Sequence, residues 1–147
     1  MSDKSILAAE TFKNGFNCSQ SVLSVFAEDV GLTKDCCFRV ASPFGSGIAR
    51  MQETCGAISG ALMVIGLRYG KGEHGLEADK ANAYKLSQLL IDKFKVRHQS
   101  INCLELLDNL DINTPEGMAE IHKRELFRCK CSKYVQDAVE IAESILV

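Results

Sequence analysis

Several features that mark other classes of protein are missing from this chain of 147 residues. Its formal net charge is −2, so no excess of basic side chains points to nucleic acid. The longest apolar run, "CGAISGALMVIGL", has 13 residues, whereas a membrane-spanning helix needs about 20. The first residues lack a basic segment followed by an apolar run and a cleavage site. We therefore expect a cytoplasmic protein with no nucleic-acid partner and no membrane partner.

The familiar short cysteine motifs are missing as well. Without C-x-x-C the chain does not resemble a thioredoxin-like dithiol protein, and without C-x-x-C-H it has no site for covalently attached haem. No Ser-His-Asp or paired-carboxylate arrangement stands out. The three histidines, His74, His98 and His122, lie in polar segments that are typical of the surface. These absences leave open whether the protein is an enzyme.

The chain has little proline and no strand pattern. Pro43 and Pro115 are the two prolines, and no stretch alternates apolar and polar residues as a half-buried strand would. Apolar residues recur instead at helical spacing, with Gly15, Gly31 and Gly70 marking helix ends. The predicted helices span 5–14, 18–30, 33–42, 55–69, 77–97, 103–110, a segment beginning at 115, and 131–146. We predict an all-α, compact single domain over residues 1–147, with about seven helices in an orthogonal or bundle-like arrangement.

Cysteine, by contrast, is abundant, with seven residues in the chain. Disulfides in the cytosol are usually transient, so many cysteines in such a protein indicate metal binding or redox chemistry. The alternative is that cysteine serves as a small buried apolar residue.

Two of the cysteines share a local pattern. Residues 17–20 read "NCSQ" and residues 102–105 read "NCLE". Asparagine is favoured at helix N-caps, and Gln or Glu three residues later completes a capping box. The pattern places Cys18 and Cys103 at the first position of two helices.

Two further cysteines fit the same position less closely. Thr54 precedes Cys55 as a weaker cap, and Cys131 begins the last apolar stripe without a cap. Each of the four lies on the inward face of its helix, so their sulfurs could converge. Helix N-termini favour thiolate over thiol, and the thiolate binds metal and attacks disulfides. The alternative is four ordinary core cysteines.

The other cysteines are less informative. Cys36 and Cys37 are adjacent and point about 100° apart on a helix, so they do not serve one site together. Cys129 lies two residues before Cys131 and could replace it as a ligand. We favour Cys131 because it begins the apolar stripe.

Glycines surround the second cysteine. Gly56 and Gly60 are four residues apart and let another backbone approach closely; they could make room for a cofactor beside Cys55 or serve helix packing alone. The preceding segment 42–53 is rich in glycine, and we expect a turn whose N–H groups face the sulfurs.

These motifs together resemble the C_GCAxxG_C_C family of redox-active proteins. The resemblance is carried by "FNCSQSVL", "FGSGIARMQETCGAISGALMVIGLRYG", "INCLELL" and "CSKYVQDAVEI". It implies that the four hallmark cysteines are Cys18, Cys55, Cys103 and Cys131. A similar domain accompanies split-Soret cytochromes c, where an iron–sulfur centre is associated with it. This chain has no haem-attachment motif, so only the iron–sulfur part of that likeness applies.

Three functions follow. The first is a site in which the four cysteines bind an iron–sulfur cluster for electron transfer or redox sensing, with zinc as the structural variant. The second is a thiol–disulfide redox protein without a cofactor. The third is a helical interaction module whose cysteines only pack. The redox partner protein is not identifiable from the sequence, and exposed apolar faces on short helices leave a homodimer open.

Overall fold

The computed structural model describes residues 1–146. Helix accounts for 71% of the structure and that range contains no strand, which confirms the all-α prediction. None of the helices in it combines the length and the apolar character needed to cross a membrane. The α-helices are α1 (Asp3–Lys13), α2 (Cys18–Ser24), α3 (Ala27–Val30), α4 (Lys34–Ala41), α5 (Gly56–Tyr69), α6 (Glu77–His98), α7 (Cys103–Leu106), α8 (Pro115–Arg124) and α9 (Ser132–Ile145).

Polar residues begin four of these helices, α2, α4, α7 and α8, where the sequence predicted them. The Asn17 side chain accepts a hydrogen bond from the Gln20 N–H at 2.9 Å, and the Gln20 side chain accepts one from the Asn17 N–H at 3.0 Å. Thr33 and Thr114 accept equivalent bonds at the starts of α4 and α8. Gly31 ends α3 in the left-handed conformation, with a φ of 73°. Local capping chemistry therefore accounts for these boundaries.

Helix α5 is the centre of the fold and contacts α2, α6 and α9. It is apolar on nearly all sides, as expected for a buried helix. Helix α9 also packs against α1 and α6, and α4 packs on α2. Each fully buried Val, Leu or Ile side chain in this core stabilises the fold by roughly 1.5–3 kcal/mol. The packing brings the starts of α2, α5 and α7 to one side of the molecule.

The predicted helices over 18–30 and 103–110 are wrong in their extent. The first divides into α2 and α3, because the Phe26 N–H bonds to the Leu23 carbonyl at 3.0 Å and this tighter turn buries the Phe26 ring in the core. The second ends four residues early, because Asp108 and Asn109 adopt left-handed conformations with φ of 58° and 61°.

The predicted start of the last helix at Cys131 is also wrong. Helical backbone already begins at Leu126 and runs through a π-helical turn, Phe127–Cys131, directly into α9. The preceding break lies at Glu125, which ends α8 in the left-handed conformation with a φ of 54°. No capping residue precedes Cys131, so nothing in the local sequence starts a new helix there.

Candidate functional site

Four of the seven cysteines line one internal space. A cavity of about 170 Å³ lies among the starts of α2, α5 and α7 and the π-helical turn before α9. The cysteines that line it are Cys18, Cys55, Cys103 and Cys131. Cys18 is half-buried, and the other three are 4%, 9% and 7% exposed. The structure thus brings together the four cysteines that the sequence singled out, and we call this space the thiol cavity.

The remaining cysteines lie elsewhere. Cys36 is exposed and Cys37 is buried, both on α4, and Cys129 is exposed on the π-helical turn. None of the three lines the thiol cavity. They are therefore natural controls for experiments on the other four.

The capping box of α2 holds Cys18 in place and also ties this helix to its neighbours. The Asn17 side-chain amide donates to the Ser42 carbonyl at 2.9 Å. The Gln20 amide donates to the Phe38 carbonyl at the same distance. Cys18 is the next residue after Asn17, so its position is fixed by hydrogen bonds to both α4 and the turn that follows α4.

A short backbone bridge that the sequence did not predict joins the second and third cysteines. Thr54 and Asn102 form an isolated antiparallel pair. The Cys55 N–H donates to the Ile101 carbonyl at 2.7 Å, and the Cys103 N–H donates to the Glu53 carbonyl at 2.6 Å. Each cysteine directly follows a bridge residue, so the bridge sets their relative position.

This bridge changes the predicted capping. Thr54 does not cap α5, because Cys55 itself is the residue that precedes the helix, and no side-chain hydrogen bond caps it. Asn102 does accept a bond from the Glu105 N–H at 3.1 Å, but the Asn102 N–H donates to the Ser100 hydroxyl instead of to Glu105. The predicted capping box at Asn102 is therefore only half formed.

The π-helical turn decides which of the last two cysteines faces the cavity. The Ser132 N–H bonds to the Phe127 carbonyl, five residues earlier, so the turn is wider than an α-helical one. Cys131 then points into the thiol cavity while Cys129 is exposed. Cys131 is accordingly the fourth cavity cysteine, although it does not lie at a free helix N-terminus as predicted.

Two glycines predicted beside a cofactor have different surroundings. Gly56 lines the thiol cavity, and a Cβ on it would lie 3.1 Å from the Cys18 Cβ. Gly60 does not line the cavity, and a Cβ there would lie 2.7 Å from the Ser19 carbonyl oxygen of α2. Gly56 therefore serves both the cavity and the contact between α2 and α5, whereas helix packing alone accounts for Gly60.

The glycine-rich loop before Cys55 contains a left-handed turn. Residues 46–50 all have positive φ, although only Gly47 in this run is a glycine. Each of the other four, Ser46, Ile48, Ala49 and Arg50, pays roughly 1–2 kcal/mol for this conformation. Ser46 and Gly47 line the thiol cavity, so the strained backbone forms part of its wall. Such strain persists only where the surroundings over-determine it.

Two side chains, those of Gln52 and Asn113, hold the left-handed turn in place at its C-terminal end. The buried Gln52 amide donates to the Leu110 carbonyl at 3.0 Å and accepts from the Ile112 N–H at 3.0 Å. The Asn113 amide donates to the Arg50 carbonyl at 2.8 Å. The Arg50 guanidinium donates to the Ile112 carbonyl at 3.4 Å and does not line the cavity.

Three of the cavity thiols, those of Cys18, Cys55 and Cys103, have raised pKa values that favour the protonated form. A hydrogen bond between the thiols of Cys18 and Cys131, followed by burial, raises the pKa of Cys18 well above its ordinary value. Burial also raises the pKa of Cys55, against the opposing effect of the Ala57 and Ile58 N–H groups. Burial and then the Cys18 thiol raise the pKa of Cys103 to about 12. The sequence argument that helix N-termini favour thiolates here is therefore wrong, because burial outweighs the helix dipole.

Tyr134 is a cavity residue that the sequence reasoning missed. It lines the thiol cavity, and its hydroxyl donates to the Leu106 carbonyl at 2.7 Å. Burial and the neighbouring Cys131 thiol raise its pKa. It lies three residues after Cys131 on the same helical face, and that spacing is a signal that could have identified it. The rings of Phe12, Phe16 and Phe127 complete the apolar wall, and nothing in their sequence positions marks them.

His98 was predicted to be a surface residue, and that prediction is wrong. Its side chain is 14% exposed and its Nε2 lies 2.7 Å from a carboxylate oxygen of the buried Asp137. Its ring meets that of Tyr134 edge-on, with centroids 4.8 Å apart. His74 and His122 are exposed as predicted. His98 therefore packs behind the cavity wall and does not line the cavity.

The donor set of the cavity can be compared with the needs of a metal centre. Four thiols line it with no carboxylate and no imidazole, which is the ligand chemistry of iron–sulfur clusters. A single zinc ion, with Zn–S bonds of about 2.3 Å, needs its sulfurs close together. Within residues 1–146 no three His, Cys, Asp or Glu side chains are grouped tightly enough for one metal ion. The thiols surround the cavity, so a single ion would require them to move together.

Comparison with known proteins gives one match. A family model described as "Putative redox-active protein (C_GCAxxG_C_C)" matches residues 16–145, a range that includes all four cavity cysteines. No curated protein and no solved structure matches the chain.

Proposed function

Because this chain belongs to the C_GCAxxG_C_C family of redox-active proteins, we propose that its thiol cavity binds an iron–sulfur cluster used in electron transfer or redox sensing. The ligands would be Cys18, Cys55, Cys103 and Cys131. The observation that carries the proposal is the convergence of these four side chains, from four separate parts of the chain, on one buried cavity.

The polar character of the cavity supports this assignment. Besides the four cysteines, its polar lining side chains are Asn17, Ser46 and Tyr134. The Asn17 oxygen already accepts from Gln20, and the Tyr134 hydroxyl donates to Leu106. The thiols are therefore the groups free to ligate, and thiolates select iron–sulfur clusters, zinc and copper(I) over hard cations such as Mg²⁺.

The raised thiol pKa values favour a cofactor over bare thiols. A protonated thiol is a weak nucleophile and a weak ligand. A cationic metal centre inside the cavity would turn these thiols into good ligands, since a thiol loses its proton when it coordinates a metal. When bound, an iron–sulfur cluster supplies exchange of single electrons. The buried cysteines, the aromatic wall and the turn at residues 46–50 limit the access of water to the sulfurs, and solvent access helps to set the reduction potential of such centres.

Metal and sulfide analysis tests the proposal. We expect anaerobically purified protein to be coloured, with iron and acid-labile sulfide in equal amounts. Replacing any one of the four cavity cysteines by serine should remove most of the iron and the visible absorption. Cys36→Ser and Cys129→Ser are matched controls that should keep both, because those side chains are exposed and outside the cavity. Colourless, iron-free protein after anaerobic preparation and reconstitution would exclude a cluster, and zinc in the same sample would identify the structural variant.

One observation favours a second candidate, a cofactor-free dithiol. Cys18 and Cys131 line the same cavity, and the Cys131 thiol is the largest cause of the raised pKa of Cys18, so these two are the pair best placed to form a disulfide. Oxidation would remove two protons and two electrons from the pair, and a low-molecular-weight disulfide would take them up to give two thiols. Thiol titration in glutathione buffers of defined potential tests this. The dithiol proposal would be contradicted if Cys18 and Cys131 stayed reduced at every potential. It would also be contradicted if Cys18→Ser lost two thiols on oxidation as the wild-type protein does.

A further inference from the structure

A surface pocket rich in positive charge lies directly behind the thiol cavity. Its volume is about 340 Å³. The residues that line it include Arg97, His98, Lys130, Lys133 and Tyr134. Three of these carry a permanent positive charge, and no carboxylate belongs to the lining. We call this feature the cationic pocket.

One side chain separates the cationic pocket from the thiol cavity. Tyr134 lines both spaces and is buried between them. Cys131 and Tyr134 face the cavity from the same helical turn whose Lys130 and Lys133 line the cationic pocket. A molecule seated in the pocket would therefore contact the same tyrosine that lines the thiol cavity.

The carboxylates near the pocket lie deeper than, or beside, its cations. Arg97 and Lys133 both contact Asp137, at 3.1 and 2.9 Å. Their side chains are 43% and 55% exposed, whereas that of Asp137 is 2% exposed. Lys130 contacts Asp108 at 2.7 Å, on the flank of the pocket. An approaching molecule therefore meets Arg97 and Lys133 before Asp137, whereas Lys130 and Asp108 are equally exposed, at 38% each.

The sequence around the pocket has the opposite charge balance to the chain as a whole. Residues 123–133 contain five Lys and Arg against one acidic residue, Glu125, while the chain has 17 Lys and Arg against 19 Asp and Glu. Glu140 lies 3.9 Å from Arg97 at the edge of the pocket. Two of the three cations of the pocket, Lys130 and Lys133, therefore belong to a basic segment of a chain whose remaining residues carry a net negative charge.

We propose that the cationic pocket is the docking surface for an acidic redox partner protein, which exchanges electrons with the thiol-cavity centre through Tyr134. The recognition rests on charge, with carboxylates of the partner facing Arg97, Lys130 and Lys133. The electron-exchange part of this inference rests on the proposed function, whereas the binding part does not.

The binding part is tested on reduced, metal-free protein with hexacyanochromate(III), a redox-inert paramagnetic trianion. We expect it to broaden the amide signals of residues 97–99 and 129–134 before any others. The broadening should weaken at least several-fold between 10 mM and 500 mM salt, because salt screens charge interactions. Uniform broadening, or broadening centred elsewhere, would overturn the proposed surface.

The exchange part is tested with small electron acceptors on cluster-loaded protein. Hexacyanoferrate(III) takes one electron from the reduced site and becomes hexacyanoferrate(II), without transfer of a proton or a group. We expect the double variant Lys130→Gln/Lys133→Gln to slow this oxidation roughly 3–10-fold at low salt, since removing steering charge lowers encounter rates. The cationic acceptor tris(phenanthroline)cobalt(III) should not be slowed.

Two matched variants separate charge from structure. Lys80→Gln/Lys85→Gln removes the same charge from α6, far from the pocket lining, and should leave both rates unchanged. Lys130→Arg/Lys133→Arg keeps the charge and should keep the wild-type rate. Equal slowing by both glutamine pairs would overturn the docking surface, and a site that neither acceptor oxidises would instead refute the proposed function.

The class of partner is tested by competition on metal-free protein. A hexaglutamate peptide should displace hexacyanochromate(III) at lower concentration than a single-stranded oligonucleotide of equal charge. Tighter binding of the oligonucleotide would overturn the assignment of an acidic protein as the partner.

Discussion

Gly47 lies so close to Cys103 that a Cβ on the glycine would stand 2.6 Å from the cysteine Cβ. The same added atom would lie 2.5 Å from the Cα of Gln52, and Gly47 also has a φ of 70°. Both space and conformation therefore require glycine at this position. The third cavity cysteine is packed directly against the left-handed turn.

The first prediction follows from this contact. Gly47→Ala should destabilise the protein by about 2–5 kcal/mol, since strain in the left-handed region and overpacking add. It should also lower the iron content of cluster-loaded protein by displacing Cys103. Gly66→Ala is the matched control: it lies within α5 with nothing within 4 Å of the added atom, and alanine there should stabilise by roughly 0.5–1 kcal/mol. Urea unfolding measures both, and a neutral Gly47→Ala would contradict the contact.

The left-handed turn gives a second prediction with an unusual sign. Ala49 has a φ of 50° and is exposed, so Ala49→Gly should stabilise the protein by roughly 0.5–1 kcal/mol by relieving backbone strain. The same change at the exposed Ala81 of α6 should destabilise by about 1 kcal/mol, because glycine is a poor helix former. Thermal unfolding of the two variants checks the signs. Destabilisation of similar size in both would mean that Ala49 is not strained.

The sequence predicted the parts of the site that depend on local chemistry. Asparagine at position 17 followed by glutamine at 20 specifies a capping box, and that box fixes Cys18. The apolar stripes predicted that Cys55, Cys103 and Cys131 face inward, and the structure buries all three. Helical spacing carries this information without reference to the rest of the chain.

The parts that depend on distant contacts were not predictable. The bridge between Thr54 and Asn102 pairs two short segments, and neither has a strand pattern. Of residues 46–50, only Gly47 favours positive φ, and the turn exists because Gln52 is held by the backbone of residues 110–112. The pKa values of Cys55 and Cys103 were predicted in the wrong direction because burial depends on the whole fold. A helix dipole contributes about 0.3–1 kcal/mol, whereas burial of a charge shifts a pKa by several units.

A third prediction compares two serines on α2. Ser19 and Ser21 are both fully buried, but only Ser21 has a partner: its hydroxyl donates to the Asn17 carbonyl at 2.8 Å. The Ser19 hydroxyl has no hydrogen-bond partner. Ser21→Ala should therefore destabilise by about 1 kcal/mol, while Ser19→Ala should be neutral or stabilising by up to about 1 kcal/mol. Denaturant midpoints decide, and a clear loss of stability in Ser19→Ala would show that its hydroxyl has a partner after all.

The last prediction concerns the pH dependence of the cavity thiols in reduced, metal-free protein. Alkylation requires the thiolate, and burial raises the pKa of Cys103 to about 12. At pH 8 its thiolate fraction is then roughly 1,000-fold below that of a thiol with a pKa of about 9. Peptide mapping after a short iodoacetamide pulse should show Cys36 and Cys129 modified first, because both are exposed. Modification of Cys103 should rise about tenfold per pH unit from pH 8 to 11.

The sign of the matching stability change follows from the same shift. Below pH 9 the Cys103 thiol is protonated in both the folded and the unfolded chain, so it adds no pH dependence there. Above pH 9 the unfolded chain loses its proton while the folded one keeps it, so stability should fall as pH rises towards 12. Cys103→Ser should reduce this fall, whereas Cys36→Ser, at an exposed position, should not. Circular dichroism melts at each pH measure the change, and a Cys103 alkylation rate that levels off near pH 9 in folded protein would contradict the buried, protonated thiol.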